Sequence, residues 1–330
     1  MKYRSLLTLF LALPFLLHAR KVPLPPEGKN EPTPWFTGTL LTPSAHVIPF
    51  GHQNYEPYFY WTTVSGFYDN HWHSHSRPRF KDFLFQPLLQ FGILPATEFD
   101  ISPQFLYNNT RGQHEWRVSD IPMSLSFQLL KESPTHPYPT IKLRLGLNAP
   151  LGKYDRLDPA RFGTDVGGTG NWDPSIGLLF SYLFHLKGIH FLAWHNWFNY
   201  TLTVPVHVHG LSFYGGAPRV GPIKGTRGTV YPGNIFLITE GFEFSLTQNW
   251  VLSLDLVYQH VNRNRFSGHT LPGTAPVAPS SELFSIAPAL EYNFSPDIGI
   301  IAGPWFSVAG RNRNLSAYFI SWIFAINIYH

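Results

Sequence analysis

The sequence predicts an all-β fold, a transmembrane up-and-down antiparallel β-barrel of about 12 strands. Three observations predict it. Apolar and polar residues alternate with period two along most of the chain. The connections between the alternating segments are short and long by turns. Charged residues are only 13% of the 330, well under the usual quarter, while aromatics reach 16%.

The chain opens with Met1-Lys2-Tyr3-Arg4, an apolar run over 6–17, then His18 and Ala19. A basic start, a short apolar stretch and a small final residue read as a signal peptide over 1–19, cleaved after Ala19. The run is too short for a membrane span. There is no cysteine, so an exported chain would draw its stability from the fold and not from disulfides. Residues 20–52 read as a Pro-rich N-terminal arm. Within it, 35–50 (WFTGTLLTPSAHVIPF) are apolar enough to fold inside the barrel as a plug or hatch. The barrel itself is assigned to 53–330.

The clearest unit is 234–260, two alternating segments around a tight turn at Gln248-Asn249. Leu252, Leu254, Leu256 and Tyr258 share one face, Ser253, Asp255 and Gln259 the other. Strands are expected near 54–66, 82–94, 97–108, 119–131, 139–149, 173–186, 188–204, 234–247, 249–261, 282–295, 297–308 and 316–329. The connections at Leu94-Pro95-Ala96, Lys187-Gly188, Gln248-Asn249 and Ser295-Pro296 are tight. Those at 67–81, 109–118, 150–172, 205–233, 262–281 and 309–315 are expected to be long. A soluble sandwich shows the same alternation with its apolar face inward. Alternating loop length instead fits short periplasmic turns and long external loops. In the last segment Tyr318, Ile320, Trp322, Phe324, Ile326 and Ile328 form an apolar row, read as lipid-facing.

With the apolar rows outward, the polar rows line a lumen. The first half of the chain contributes Glu56, Gln86, Gln90, Glu98, Asp100, Gln104, Lys142, Arg144 and Asn148. The second half contributes His185, His195, Glu243, Asp255, Gln259 and Glu291. A charge facing lipid at mid-bilayer costs about 2–4 kcal/mol, so these rows cannot face outward. Glu243 and Asp255 are the expected partners of Lys142 and Arg144 across the interior.

The net charge of +4 sits in the expected long loops, as a basic rim of Arg77, Arg79, Arg156, Arg161, Arg219, Arg227, Arg263, Arg265, Arg311 and Arg313. Outer-membrane lipid and lipopolysaccharide phosphates are the expected partners of such a rim, and a small-molecule solute is expected in the pore. No basic recognition helix points to nucleic acid. His71, His73 and His75 alternate in one loop and would project together, and His207 and His209 repeat the spacing once. With no cysteine and no carboxylate at metal spacing, no metal or other cofactor is expected. Glycines at 163–170 lack the lysine of a phosphate loop. Ser181 and His185 share a strand face without an orienting carboxylate, so an enzyme is not expected.

The stretches 145–155 (LGLNAPLGKYD), 168–182 (GTGNWDPSIGLLFSY) and 38–58 (GTLLTPSAHVIPFGHQNYEPY) resemble outer-membrane proteins of the phenol-degradation meta-pathway family. That resemblance implies a barrel channel with a role in uptake. The expected function is therefore passive uptake of small molecules across the outer membrane of a Gram-negative bacterium, hydrophobic or aromatic compounds among them. The alternative is a non-transporting surface barrel, an adhesin or a structural protein.

Overall fold

The computed structural model describes residues 34–133 and 138–326. The expected signal peptide and the last four residues lie outside them. Seventeen strands form, in chain order. They begin with β1 (Gln53–Tyr68), β2 (Ser74–Leu94), β3 (Thr97–Ile101), β4 (Phe105–Thr110), β5 (Gln113–Val118) and β6 (Ile121–Leu130). Next come β7 (Thr140–Ala149), β8 (Asp173–Lys187), β9 (His190–Thr201), β10 (Val206–His209), β11 (Arg227–Tyr231) and β12 (Ile235–Ser245). The last are β13 (Trp250–Val261), β14 (Arg265–His269), β15 (Ser281–Ser295), β16 (Ile298–Arg311) and β17 (Arg313–Ile326).

Fourteen of these make one antiparallel sheet that closes, because β1 pairs with β2 on one side and β17 on the other. β3 and β4 are two halves of one wall strand, and β5 and β6 halves of the next. Pro103 has no N–H to give the ladder. Bonds from Ser102 N to Pro122 O and from Ser119 N to Gln104 O carry the pairing across the break. The barrel therefore has 12 wall strands. Closure pairs every strand on both edges, which is what a hydrocarbon environment demands. No helix among the described residues is long and apolar enough to cross a membrane.

The faces settle the choice between sandwich and membrane barrel. Leu252, Leu254, Ile176, Leu178 and Leu290 point away from the lumen and are exposed, while Glu98, Asp255, Glu243 and Glu291 are buried within it. Apolar outside and carboxylates inside is the membrane arrangement.

One face differs from expectation. On β17, Ile320 and Trp322 are fully buried, and they pack with Leu40, Ala287, Ala289 and Ile301 inside the barrel. Phe319 and Ile323 are the exposed, outward residues. This strand is apolar on both faces, because the wall beside it packs against an apolar interior segment. The more continuous row was therefore the wrong guide.

The expected loops also divide. The connections at 150–172, 202–234 and 262–280 are long, but those at 67–81, 109–118 and 309–315 are not. There the strands continue past the apolar band and close in tight turns, with positive φ at Trp72, Arg111, Gly112 and Asn312. The first seven residues of β2 are almost all exposed. With water on both faces nothing enforces alternation, so these extensions read as loops. A second sheet, β10-β11-β14, forms within the 202–234 and 262–280 connections.

Three substitutions test the faces. Ile323→Arg and Leu254→Arg place a charge in the outward band and should abolish insertion into lipid vesicles, read as loss of the heat-modifiable gel band. Ile320→Thr changes an inward residue and should still insert. An inserting Ile323→Arg with a failing Ile320→Thr would reverse the assignment.

Candidate functional site: the filled lumen

Registers around the closed sheet bring inward residues of neighbouring strands together. Gln90 faces Asp100, which faces Ser124, and Ser126 faces Arg144. Ser181 faces His195, His195 faces Gly241, and Gly241 faces Asp255. Glu291 faces Ile301, Ile301 faces Trp322, and Trp322 faces Tyr58.

Residues 35–50, here the strap, dip into this ring from the short-turn end, where Trp35 N bonds Gln248 O, and return to that end to enter β1. Three wall carboxylates hold its first half. Glu291 Oε1 accepts from Thr37 N at 3.0 Å and Glu243 Oε1 from Gly38 N at 3.0 Å. Asp255 accepts four hydrogen bonds, from Thr39 Oγ1 (2.6 Å), Leu41 N (3.1 Å), Thr42 N (2.9 Å) and Thr42 Oγ1 (2.6 Å). The second half donates from Ala45 N to Ser181 Oγ (2.8 Å), Val47 N to Gln128 Oε1 (3.2 Å) and Ile48 N to Glu98 Oε2 (2.7 Å). Leu40 is completely buried against the β17 wall, a contribution of about 1.5–3 kcal/mol. Gly241 makes the approach possible: a Cβ there would lie 2.7 Å from Thr39 Oγ1 and 2.9 Å from Thr42 Cβ.

The ion pairs are not those expected. Lys142 Nζ sits 3.3 Å from Glu98 and Arg144 2.9 Å from Asp100. Both acids lie on β3, one strand beyond the neighbouring β6, and not across the lumen. Lys142 Nζ also donates to His46 O at 2.9 Å. Glu243 and Asp255 serve the strap instead, because its backbone N–H groups are closer than either cation.

Ser181 also has a different partner from the one considered. Its Oγ lies 2.7 Å from His195 Nδ1, and His195 Nε2 lies 2.7 Å from Glu243 Oε2. The connectivity is serine–histidine–carboxylate. Ser181 is 1% exposed and its oxygen takes the Ala45 N–H, so the chain anchors the strap. A hydroxyl proton toward Nδ1 leaves Nε2–H for Glu243, which satisfies all three groups. Residue spacing hid this trio, since the members stand on β8, β9 and β12.

The other expected lumen residues are placed as follows. Glu56 bonds Asn54 and Tyr58, Gln90 bonds Asn54 and Asp100, and Gln104 bonds Gln86. Asn148 reaches Asp120. Gln259 takes a bond from Arg313 near the long-loop end. His185 lies at the short-turn end, its Nε2 donating to Gly188 O at 2.9 Å and its ring stacked on Phe191.

The strap divides the lumen into two cavities. One of about 410 Å³ opens toward the long-loop end, with Tyr58, Tyr60, Leu88, Met123, Trp197, Arg144 and Asp173 among its walls. The other, about 430 Å³, lies on the short-turn side with His46, Glu132 and Lys142.

At the long-loop end the residue that spacing missed is Asp120. It accepts from Gly152 N (3.0 Å), Thr169 N (2.9 Å) and Thr169 Oγ1 (3.0 Å), pinning both ends of the 150–172 loop. Gly168 lets it do so, as a Cβ would fall 2.1 Å from its Oδ1. Asp69 was overlooked likewise. It accepts from His71 N (2.7 Å) and His73 N (3.0 Å) and lies 2.9 Å from His75 Nε2. The His75 bond above all holds its carboxyl well below the usual range. The three histidines thus organise a turn, and no metal-binding group of three is found among the described residues.

The basic residues do not form one free rim. Arg161 pairs with Glu115 (3.2 Å) and Arg311 with Glu282 (3.2 Å), and Arg313 bonds Gln259. Arg77 and Arg79 are exposed on the projecting part of β2, and Arg263 and Arg265 are exposed beside a separate shallow cleft.

No family model matches this sequence, and neither does any curated protein. Solved structures do. The NalP autotransporter translocator domain from Neisseria meningitidis gives a TM-score of 0.45 at 7% identity, covering 83% of this chain and 88% of its own. A deletion mutant of the TodX monoaromatic hydrocarbon channel gives 0.41 at 11%, covering 84% and 91%. A crystallised outer-membrane channel from Pseudomonas putida F1 superposes with a TM-score of 0.63 at 12% identity, over 86% of this chain and 98% of its own. That last likeness shows the fold: the chain folds as an outer-membrane β-barrel.

Proposed function

We propose that this barrel is a narrow channel in the outer membrane of a Gram-negative bacterium, closed by its own strap and used for passive uptake of small molecules. The observation that carries this reading is the strap. It is held by hydrogen bonds to wall carboxylates and not by a covalent bond, and it separates two cavities that would otherwise be one bore. A wall built only for rigidity would be filled by its own side chains, and a 12-stranded barrel is wider than side chains alone fill.

The outer cavity supports a solute class. Tyr58, Tyr60, Leu88, Met123 and Trp197 give it apolar and aromatic walls. Arg144 and Asp173 add polar groups to the same lining. Small compounds with an aromatic or apolar body and one polar group fit this lining. The sequence resemblance to the phenol-degradation family and the fold of the Pseudomonas putida channel are consistent with it.

Two measurements test the channel. Deleting residues 34–50 should raise single-channel conductance in planar bilayers several-fold, and an unchanged conductance would favour the non-transporting surface barrel. Asp255→Asn presents an amide N–H to strap donors and leaves one buried group unpaired, at about 1–3 kcal/mol. It should raise the frequency of openings while the barrel still shows heat-modifiable mobility. For solute class, vesicles holding the wild-type barrel should admit small phenols faster than sugars of equal mass. Equal rates would leave an unselective pore.

A further inference from the structure

The small sheet at the long-loop end has no part in closing the lumen. β10, β11 and β14 pack Val206, Val208 and Val230 against Tyr154, Tyr214 and Phe266. The 150–172 loop is bound to its edge by Arg156 N to His209 O (2.9 Å), Leu157 N to Leu211 O (2.9 Å) and Phe213 N to Tyr154 O (2.7 Å). Thr226 is buried, and its Oγ1 accepts from Ala217 N at 2.7 Å, fixing the turn that carries residues 218–225.

Between this sheet and the loop lies a cleft of about 880 Å³, within the size range of small-ligand sites. Its polar lining is basic: Arg156, Arg219, Lys224 and Arg227, with His209 and His269. No carboxylate lines it. Asp155, next to Arg156, is taken by His209, at 3.0 Å from its backbone N and 3.4 Å from its ring, and Asp158 accepts from Ala160 N at 2.9 Å and lies 4.0 Å from Arg161. Leu157, Pro159, Leu211 and Pro218 give an apolar floor.

What sets these cations apart is that they are both unpaired and gathered on one cleft. Several others at this end meet acids: Arg161 and Arg117 share Glu115, Lys153 takes Asp165 and Arg311 takes Glu282. Arg77, Arg79, Arg263 and Arg265 are unpaired among the described residues but lie outside this cleft. Arg156, Arg219, Lys224 and Arg227 form no ion pair among the described residues. Like charges gathered around one concave surface repel, and the concavity concentrates their field on whatever anion enters. Guanidinium groups grip phosphate through paired N–H donors.

We propose that this cleft binds a phosphate-bearing saccharide or a similar phosphorylated ligand. That chemistry has two sources at a bacterial surface: the phosphorylated sugar headgroup of lipopolysaccharide, and a free phosphorylated solute.

The test uses the full chain folded in detergent, with two probes, inorganic pyrophosphate by titration calorimetry and lipopolysaccharide micelles by co-sedimentation. Binding to at least one probe is expected, weakening as salt rises. Binding to micelles alone assigns the headgroup, whereas binding to pyrophosphate assigns a free phosphorylated solute. The triple change Arg219→Gln, Lys224→Gln and Arg227→Gln should weaken binding by about tenfold or more, the loss of roughly one paired contact. Arg77→Gln with Arg79→Gln, exposed but outside the cleft, should not. Were the triple variant to misfold, Arg219→Gln alone changes one exposed turn residue and should weaken binding in the same direction. The proposal is overturned if wild type binds neither probe, if the cleft variants bind as wild type does, or if the Arg77 and Arg79 changes weaken binding equally. None of these outcomes bears on conductance, so failure here leaves the channel reading intact.

Discussion

Asp255 is the constraint on which the interior depends. Its carboxylate is fully buried and accepts four hydrogen bonds from three residues of the strap. A carboxylate has about that many acceptor sites, so Asp255 is saturated by the strap alone. Several other features follow. Gly241, directly opposite in the ladder, has no side chain because the Thr39–Thr42 turn occupies the space. Thr39 and Thr42 are threonines because their hydroxyls supply two of the four donors. Leu40, between them, is directed onto the β17 wall, and this explains why that wall is apolar on its inner face.

The strap also changes what the lumen polar residues are for. A row of carboxylates and amides facing a wide bore suggests a water-filled pore. Here most of those groups are used within the protein: Glu98 and Asp100 on Lys142 and Arg144, Glu243 on His195 and Gly38, Glu291 on Thr37. In a low-dielectric interior an unpaired polar group is expensive. The density of pairing therefore explains how so many polar side chains sit buried with so little water-accessible space.

Much of this was legible in the sequence, for a physical reason. Where a strand has lipid on one side and a polar lumen on the other, alternation is enforced residue by residue. Within the apolar band the wall strands from β1 to β16 are accordingly placed within a few residues, while β2 and β5 begin eight and six residues before the expected starts. Alternation carries no information where both faces see the same medium. The wet extensions of β2, β4 and β5 were read as loops, and β17, apolar on both sides, was read inside out. The small sheet was missed for another reason: the Val206-His207-Val208-His209 alternation was weighed as ligand spacing and not as a strand. Site residues that act through tertiary contact could not be found from spacing. Asp120 and Asp69 are single carboxylates that each accept from two backbone N–H groups, and backbone donors leave no mark on composition. Ser181, His195 and Glu243 met only because two registers aligned them.

The way the strap is held also bears on what the barrel would be without it. Strap and wall are joined mainly by hydrogen bonds to carboxylates, and water can satisfy such acceptors nearly as well as a backbone N–H does. Exchange of strap for solvent then costs chiefly the apolar packing of Leu40 and Leu41 against the wall. The bore left behind would not be neutral. Asp255 and Glu291 have no cationic partner among the described residues, and Glu243 has only His195. With the strap withdrawn, the groups that hold it would give the lumen a negative lining.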